Sequence, residues 1–532
     1  MSETRRIARR AGIVAAGTLA SRLLGLLRDL TIAAVFTRAV TDAFFVAFTI
    51  PNVLRQLLGE GAVQNAVLPV LVEVREREGE DAARRFFRAV RGLSLVILVA
   101  VSALGVGFAP VLVGLFAGGY AEIPGQLERT VHLTRWVFPY ILFMGTAALG
   151  SAALNTYHRF VATSLAPTLL NVAFVVFALT LPPFLGANGY ETGLALTWAA
   201  LVGGVLQVVV QWPSLAKIGY LEAPSFAFSH PGVREVLRRM GPMLFGMGVY
   251  YVDVMLARRF LSELGVGAQS YFGWAMRLCD FPQGIFVMAL SAAALPSLSR
   301  LAARRDHAEL GRTFAFGMRL ALFVAIPATA LFVGLAEPLV VLLFQRGAFG
   351  AESSSETARA LVAQGLGVWL VAAVRQLLSV YYAIGDTRTP VIVAALDLLA
   401  FIGLALGLRG IFGHVGVGLA VSGASALQAL LLALLLARKM PEVLGHGVLL
   451  SALRVSIASG GAVAAGRYVA RSLAPQAAQA GSQLDRALPG ILGALAFGVS
   501  FLVFAALLRS PELITLRDEL RKRLTRGKAK PE

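Results

Sequence analysis

The sequence predicts an all-α, polytopic membrane protein of fourteen spans, and three observations carry that reading. Of its 532 residues, 57% are hydrophobic and only 15% charged, against about 25% charged in soluble proteins, and mean hydropathy is +0.73. Apolar segments long enough to cross a bilayer recur along the whole chain. Basic residues cluster in short segments between them and at both ends, where charges set topology. A β-barrel would show short alternating strands instead. The net charge of +18 follows from this placement, so nucleic acid is not expected as a partner.

In chain order the spans fall at roughly 11–36, 42–72, 90–117, 130–156, 161–183, 191–214, 235–258, 269–299, 313–335, 359–384, 389–408, 414–437, 449–468 and 487–508. Arg5, Arg6, Arg9 and Arg10 before the first span resemble a signal-peptide start. The apolar run is too long for one and contains Arg22 and Arg28, so it reads as a retained span. Arginines are dense at 75–91, 234–239 and 300–312 and in the tail from Arg517, whereas 184–190 has no basic residue. Both termini are therefore expected in the cytoplasm. The connections 73–89 and 300–312 read either as amphipathic helices on the membrane surface, with Phe86-Phe87 as anchors, or as solvated charged links.

An internal repeat is visible. Ala109-Pro110-Val111-Leu112-Val113 resembles Glu337-Pro338-Leu339-Val340-Val341. Asn65 to Leu71 resembles Ala292 to Leu298 at an offset of 227, and Ala166-Pro167 resembles Thr389-Pro390 at 223. The predicted organisation is an N-lobe at 1–225 with helices 1–6 and a C-lobe at 226–440 with helices 7–12. Two further helices at 441–510 and a basic tail at 511–532 complete it. Two parallel six-helix repeats around a cavity are an architecture of alternating access.

The informative residues are the charges inside spans. An ionised side chain at membrane depth costs about 2.5 kcal/mol or more and needs a partner, a cavity or the interface. Span one holds Arg22, Arg28 and Asp29; at helical spacing Arg22, Gly25 and Asp29 share nearly one face, with Arg28 about 100° round. Asp42 opens span two, where Asn52 and Arg55 share one face and Glu60 lies on another. Span seven carries Asp253, and span eight Arg277 with Asp280 one turn on. These are the corresponding first pairs of the two repeats. Arginine stays charged, and its planar fork binds phosphate oxygens bidentately. Arg22, Arg28, Arg55 and Arg277 across one cavity would form a trap for a di-anionic headgroup. The plainer alternative is that Arg22–Asp29, Arg55–Glu60 and Arg277 with Asp253 or Asp280 are ion pairs holding helices together. Pro282-Gln283-Gly284 is the best hinge candidate, and Gly25 permits close approach or local unwinding.

Catalytic and cofactor motifs are absent. The histidines are scattered, Cys279 stands alone and no GxxxxGK[ST] occurs, so neither a metal site nor an enzyme is expected. Without an ATP-binding domain the driving force is the membrane potential, a monovalent ion gradient or the substrate gradient. Asp29, Glu60, Asp253 and Asp397 are the candidate proton or cation sites.

Several runs resemble one family. They are Ser21-Arg22-Leu23-Leu24-Gly25-Leu26-Leu27-Arg28-Asp29, Asp42-Ala43-Phe44-Phe45 and Pro51-Asn52-Val53-Leu54-Arg55 through Gly59-Glu60-Gly61. Arg277, Pro282-Gln283-Gly284, Phe344-Gln345-Arg346-Gly347 and Asp386-Thr387-Arg388-Thr389-Pro390 belong with them. Together they are similar to the MurJ/MviN family of the multidrug/oligosaccharidyl-lipid/polysaccharide exporter superfamily, along nearly the whole chain. The resemblance implies an inner-membrane flippase for lipid II, the undecaprenyl-pyrophosphate-linked disaccharide-pentapeptide of peptidoglycan synthesis. It implies substrate-binding roles for Arg22, Arg28, Arg55 and Arg277. Supporting or gating roles follow for Gly25, Asp29, Asp42, Asn52, Glu60, Asp253, Pro282 and Gly284, and helices thirteen and fourteen would take the lipid tail. A monomer acting with membrane lipids and with cell-wall synthesis or division machinery is the corresponding expectation. Gln56, Thr49 and Met276 stand where many or some members carry a further charge. A drug exporter would predict an acid-dominated cavity, a flippase for another polyprenyl-linked sugar would share the physics, and a membrane scaffold would tolerate loss of the arginines.

Overall fold

The structure, a computed structural model, describes residues 3–56, 62–443, 445–479, 482–515 and 517–518. Among them there is no β-strand, and the chain forms two compact units that divide between Ser270 and Tyr271.

The first unit contains α1 (Glu3–Val35), α2 (Arg38–Arg55), α3 (Ala62–Glu78), α4 (Glu80–Gly107), α5 (Ala109–Ala117), α6 (Gln126–Val137) and α7 (Tyr140–Thr156). It continues with α8 (Phe160–Ala187), α9 (Leu194–Val209), the short α10 (Trp212–Lys217) and α11 (Pro231–Ser262). Helix α12 (Ala268–Pro282) crosses the division, and a π-helical turn (Gln283–Val287) joins it to α13 (Met288–Ala303). The second unit continues with α14 (His307–Gly334), α15 (Ala336–Phe344), α16 (Ala351–Gly365), α17 (Val368–Ala383), α18 (Arg388–Phe412), α19 (His414–Lys439), α20 (Val448–Gln479) and α21 (Gln483–Leu507).

The order of elements repeats. Helices α4 and α14 each have 28 residues, and each is followed by a nine-residue helix with proline in its first turn, α5 and α15. These are the two copies of the Pro-Val-Leu-type motif.

Ten helical stretches among the described residues have the length and apolarity to cross a membrane, which makes this a multi-pass membrane protein. They coincide with expected spans three to six and nine to fourteen. Spans one, two, seven and eight are helical too, but they are the polar ones: α1, α2–α3, α11 and α12–α13. Spans four and ten are each two helices. The first breaks at Phe138-Pro139, where proline removes a backbone donor, and the second at Leu366-Gly367.

Three expectations change. Helix α11, assigned by sequence to the lobe starting at 226, packs within the first unit against α3 and α5. The connection 73–89 is not a surface helix. Helix α3 ends at Glu78, Gly79 turns at φ +87, and α4 starts at Glu80. Phe86 and Phe87 are buried in protein with Val67, Leu71, Leu149, Tyr220 and Val233. The segment after α10 folds back over α4 and covers them: Ser225 N–H donates to the Arg88 carbonyl at 3.0 Å, and Arg88 pairs with Glu222 at 3.0 Å. An apolar pair in a charged run has the same pattern whether protein or lipid covers it, so only the returning segment distinguishes the two. The 300–312 connection is a tight turn through Arg305 (φ +58), closed by Asp306, which accepts from Glu309 N–H at 3.0 Å.

Polar clusters fasten the helix ends. Tyr157 donates to Glu80 and lies 2.9 Å from the Tyr220 hydroxyl, with the Arg75 guanidinium over its ring. Burial, then the Glu80 hydrogen bond, raises the Tyr157 phenol above its ordinary range. Asp386 accepts from Thr389 N–H at 3.0 Å and from the Thr389 hydroxyl at 2.7 Å at the start of α18, and it pairs with Lys439 at the end of α19. Burial pushes its carboxyl up, but Lys439 and Thr389 outweigh this and hold it at about 2. The Asp-Thr-Arg-Thr-Pro motif is therefore a helix start tied to a neighbouring helix end. Just past α21, Glu512 is buried, accepts from Ser451 and Ser510, and stands 3.6 Å from Arg319.

Phe87→Ala should destabilise the protein by about 3–5 kcal/mol, as expected for an aromatic side chain removed from a packed core. Unfolding followed in nanodiscs checks this; an unchanged midpoint would mean that Phe87 anchors in lipid.

Candidate functional site

Each predicted residue is taken within its own unit. Arg28 sits on α1 where this helix packs along α8. Its Nε donates to Asp29 Oδ1 at 2.9 Å and its Nη2 reaches the same oxygen at 2.8 Å. Its Nη1 donates to Asn171 Oδ1 at 3.1 Å, and the guanidinium lies over the Phe174 ring, 5.5 Å from the centroid. Asn171 in turn donates through Nδ2 to the Ser21 carbonyl at 2.9 Å. One amide on α8 thus holds both ends of the Ser21–Asp29 stretch. The pair Arg28–Asp29 forms although neighbouring residues project about 100° apart on a helix, because the long arginine side chain curls back to the carboxylate. Three of the guanidinium's contacts are fixed, so its position is set before any ligand arrives.

Asn171 and Phe174 were not singled out from sequence. The available signal was that Asn171 is the one amide side chain within the apolar stretch 160–187, and a polar group in a span needs a reason.

Arg22 lies on the same helix. Its Nε is shielded and has no hydrogen-bond partner among the described residues. It borders a cavity of about 660 Å³ lined with polar groups from Ser21, Ser151, Asn155, Gln207 and Gln211. Gly25 faces Asn171, but a Cβ there would stand 3.6 Å from Nδ2, an ordinary contact. Helix α1 is continuous through it. Gly25 is therefore neither a forced close approach nor an unwound point. The tight glycine of α1 is Gly17, whose Cβ would meet Ser164 Cβ at 2.7 Å.

Arg55 ends α2 and donates through Nε to Asn52 Oδ1 at 2.9 Å, one turn back. Next to it, Gln56 accepts from the Tyr251 hydroxyl of α11 at 2.8 Å. Glu60, with Gly59, lies outside the described residues.

Asp42 is fully buried. It accepts from Gly267 N–H at 2.5 Å, from Ser270 N–H at 2.8 Å and from the Ser270 hydroxyl, while Thr41 and Ser270 hydroxyls lie 2.6 Å apart. Both carboxylate oxygens are committed to the N-terminus of α12, where an acid is favoured by the unsatisfied N–H groups. Gly267 adopts φ +100, which a side chain would oppose. Asp42 is thus a fastening between α2 and the start of α12. Asp253 on α11 is part-buried, and its Oδ1 has no hydrogen-bond partner among the described residues.

In the second unit Arg277 and Asp280 are exposed on α12. Trp274, Ala275, Leu278 and Cys279 are buried. Pro282 ends the α-helical part, and the turn Gln283–Val287, which includes Gly284, is π-helical. The hinge candidate therefore coincides with a wider turn, a feature that re-aims a helix and recurs at functional sites. No cluster of three His, Cys, Asp or Glu suited to a metal occurs among the described residues.

Comparison with known proteins gives the family and the fold. The family described as "Lipid II flippase MurJ" matches residues 32–476. The "Lipid II flippase MurJ" of Burkholderia cenocepacia is 36% identical over 427 residues, covering 78% of this chain and 81% of that protein. The "Probable lipid II flippase MurJ" of Bdellovibrio bacteriovorus is 33% identical over 463 residues, covering 87% and 88%. Among solved structures, a lipid II flippase MurJ in an inward closed conformation superposes with a TM-score of 0.74 at 23% identity, over 93% of this chain and 99% of that one. An inward-facing multidrug resistance MATE family transporter of the MOP superfamily gives 0.65 at 15% identity, over 80% and 95%. The fold is shared with both, and by sequence the chain belongs to the lipid II flippase MurJ family.

Proposed function

We propose that this protein moves lipid II from the cytoplasmic to the periplasmic leaflet by alternating access, with arginines holding the pyrophosphate. The observation that carries this is Arg28. A guanidinium is kept charged inside a span by one carboxylate, one amide and one aromatic face, a costly arrangement unless the charge is used. Arg22 and Arg55 are the further candidates of the first unit for this role, and Arg277 is the candidate of the second. Asp29 offsets part of the charge, so the site attracts a di-anion and still releases it. Asp42 and the π turn after Pro282 serve as fastening and hinge. The prenyl tail stays in lipid or in an apolar groove of α20 and α21, since wetting it would cost about 0.8 kcal/mol per CH₂. Arginine-rich connections support cytoplasmic termini. The cycle is driven by the membrane potential or a monovalent ion, without a cofactor, and the protein works as a monomer beside cell-wall synthesis or division machinery. A drug exporter shares the fold, but its cationic cargo would not suit arginine in the first span.

Three variants test the grip in proteoliposomes loaded with fluorescent lipid II. Arg28→Ala should slow flipping about 100-fold, the loss of two charge-assisted hydrogen bonds at about 1.5 kcal/mol each. Because it also removes the Arg28 ion pair from buried Asp29, the double variant Arg28→Ala/Asp29→Asn should recover thermal stability without recovering transport. Wild-type flipping by the double variant would remove Arg28 from the site. Asn171→Leu keeps the volume but releases Arg28 and the Ser21 carbonyl, and should slow flipping about tenfold at equal expression, a loss of about 1.4 kcal/mol. Unchanged rates would show that Asn171 does not position the arginine.

A further inference from the structure

One strongly charged cavity plays no part in the site above. It lies wholly within the second unit, has a volume of about 760 Å³, and is lined by Arg359 of α16, Arg467 and Arg471 of α20 and Arg486 of α21. Glu337 is the single acidic residue in its lining. Arg467 and Arg471 are one turn apart on one face of α20, with Ala470 and Ala474 leaving room between helices. Arg467 is anchored, since its Nε donates to the Gly334 carbonyl at 2.7 Å and its Nη2 to the Val333 carbonyl at 3.4 Å, at the end of α14. Arg359 is paired with Glu356 at 2.9 Å. Arg471 has neither an ion pair nor a hydrogen bond with a described residue.

The position is as informative as the charge. Helix α14 has 28 residues and spans about 42 Å at 1.5 Å per residue, so Gly334 lies at the membrane face opposite the basic turn at 304–306. On the topology proposed above, on which this inference rests for its sidedness, that face is periplasmic. Basic residues are generally depleted there, and Arg467 and Arg471, one turn apart on α20 with no carboxylate of a described residue paired to either, favour an anion beside them. A shallow cleft beside the cavity is lined by Arg467, Tyr468, Arg471 and Ser472. Tyr468 is 76% exposed and Leu484, at the start of α21, 66%. An exposed tyrosine at the end of a span is an interfacial anchor, so the cavity opens toward lipid headgroups.

The geometry points to a second anion site at the outer end of α20 and α21, which seats the phosphate of an anionic lipid headgroup in the periplasmic leaflet. Planar guanidinium forks from two helices suit phosphate oxygens, and the apolar outer faces of the same helices lie against the acyl chains. The site is built only from residues of the second unit and none of them belongs to the candidate pyrophosphate grip.

Native mass spectrometry of the purified full chain tests this with three probes: phosphatidylglycerol, phosphatidylcholine and inorganic pyrophosphate. The wild type should retain phosphatidylglycerol at least tenfold better than phosphatidylcholine. Arg467→Ala/Arg471→Ala should lose that preference, and Arg467→Lys/Arg471→Lys should keep part of it, which also covers the case where the alanine variant fails to fold. Pyrophosphate retention lost in the same variants, without a lipid preference, would keep the phosphate site but overturn its lipid source. Equal lipid and pyrophosphate retention by wild type and variants would overturn the site itself. Sidedness is read separately by labelling Ser472→Cys in whole cells with an impermeant maleimide. Labelling from outside is expected, and its absence would overturn the periplasmic placement while leaving the retention result and the role of Arg28 untouched.

Discussion

A guanidinium that cannot shed its charge has been placed in the first helix, and much of the first unit is arranged around holding it. Arg28 is satisfied by Asp29 beside it and by Asn171 from α8, with Phe174 beneath the plane. Because Asn171 also ties down the Ser21 carbonyl, the packing of α1 on α8 and the orientation of the cation are one interaction. The network leaves the charge in place but not loose. Preorganised charge costs little reorganisation when a ligand binds, and that makes an interior arginine useful rather than merely tolerated.

The same economy divides the remaining helices. Spans three to six and nine to fourteen are long and apolar enough to cross a membrane. The polar ones depend on specific fastenings: Asp42 closing the start of α12, Gln56 with Tyr251, Asn52 with Arg55. Helical runs are interrupted at Phe138-Pro139 and Leu366-Gly367 and widen into the π turn after Pro282. For the alternating access proposed above, it is an advantage to hold the polar helices by local polar contacts. Such contacts can be remade, unlike a continuous apolar core.

Most of the architecture was legible in the sequence because membrane helices announce themselves by length and apolarity, and because proline-bearing motifs mark the recurrence of α4–α5 as α14–α15. The polar stretches were legible for the opposite reason, being too costly to be accidental. What was not legible depends on contacts between distant segments. Asn171 is one polar side chain in an apolar span, and nothing local says that it meets Arg28 across 143 positions. Phe86 and Phe87 have the pattern of membrane anchors, and packing with α3, α7, α11 and the returning segment at 218–230 makes them core. Gly25 was read for its small size, yet the space beside it accepts a Cβ. The first unit runs to Ser270 rather than 225, with α11 on α3 and α5 and Asp42 reaching forward to Gly267 and Ser270, contacts that an internal repeat cannot encode.

The central claim is that the Arg28 guanidinium touches the diphosphate of the substrate. Nitrogen–phosphorus dipolar recoupling by solid-state NMR tests it directly, with ¹⁵N-arginine protein in bilayers and bound lipid II. Dephasing of the arginine signal by phosphorus is expected, falling sharply in Arg28→Lys while the bound lipid is retained. Equal dephasing in wild type and variant would contradict it.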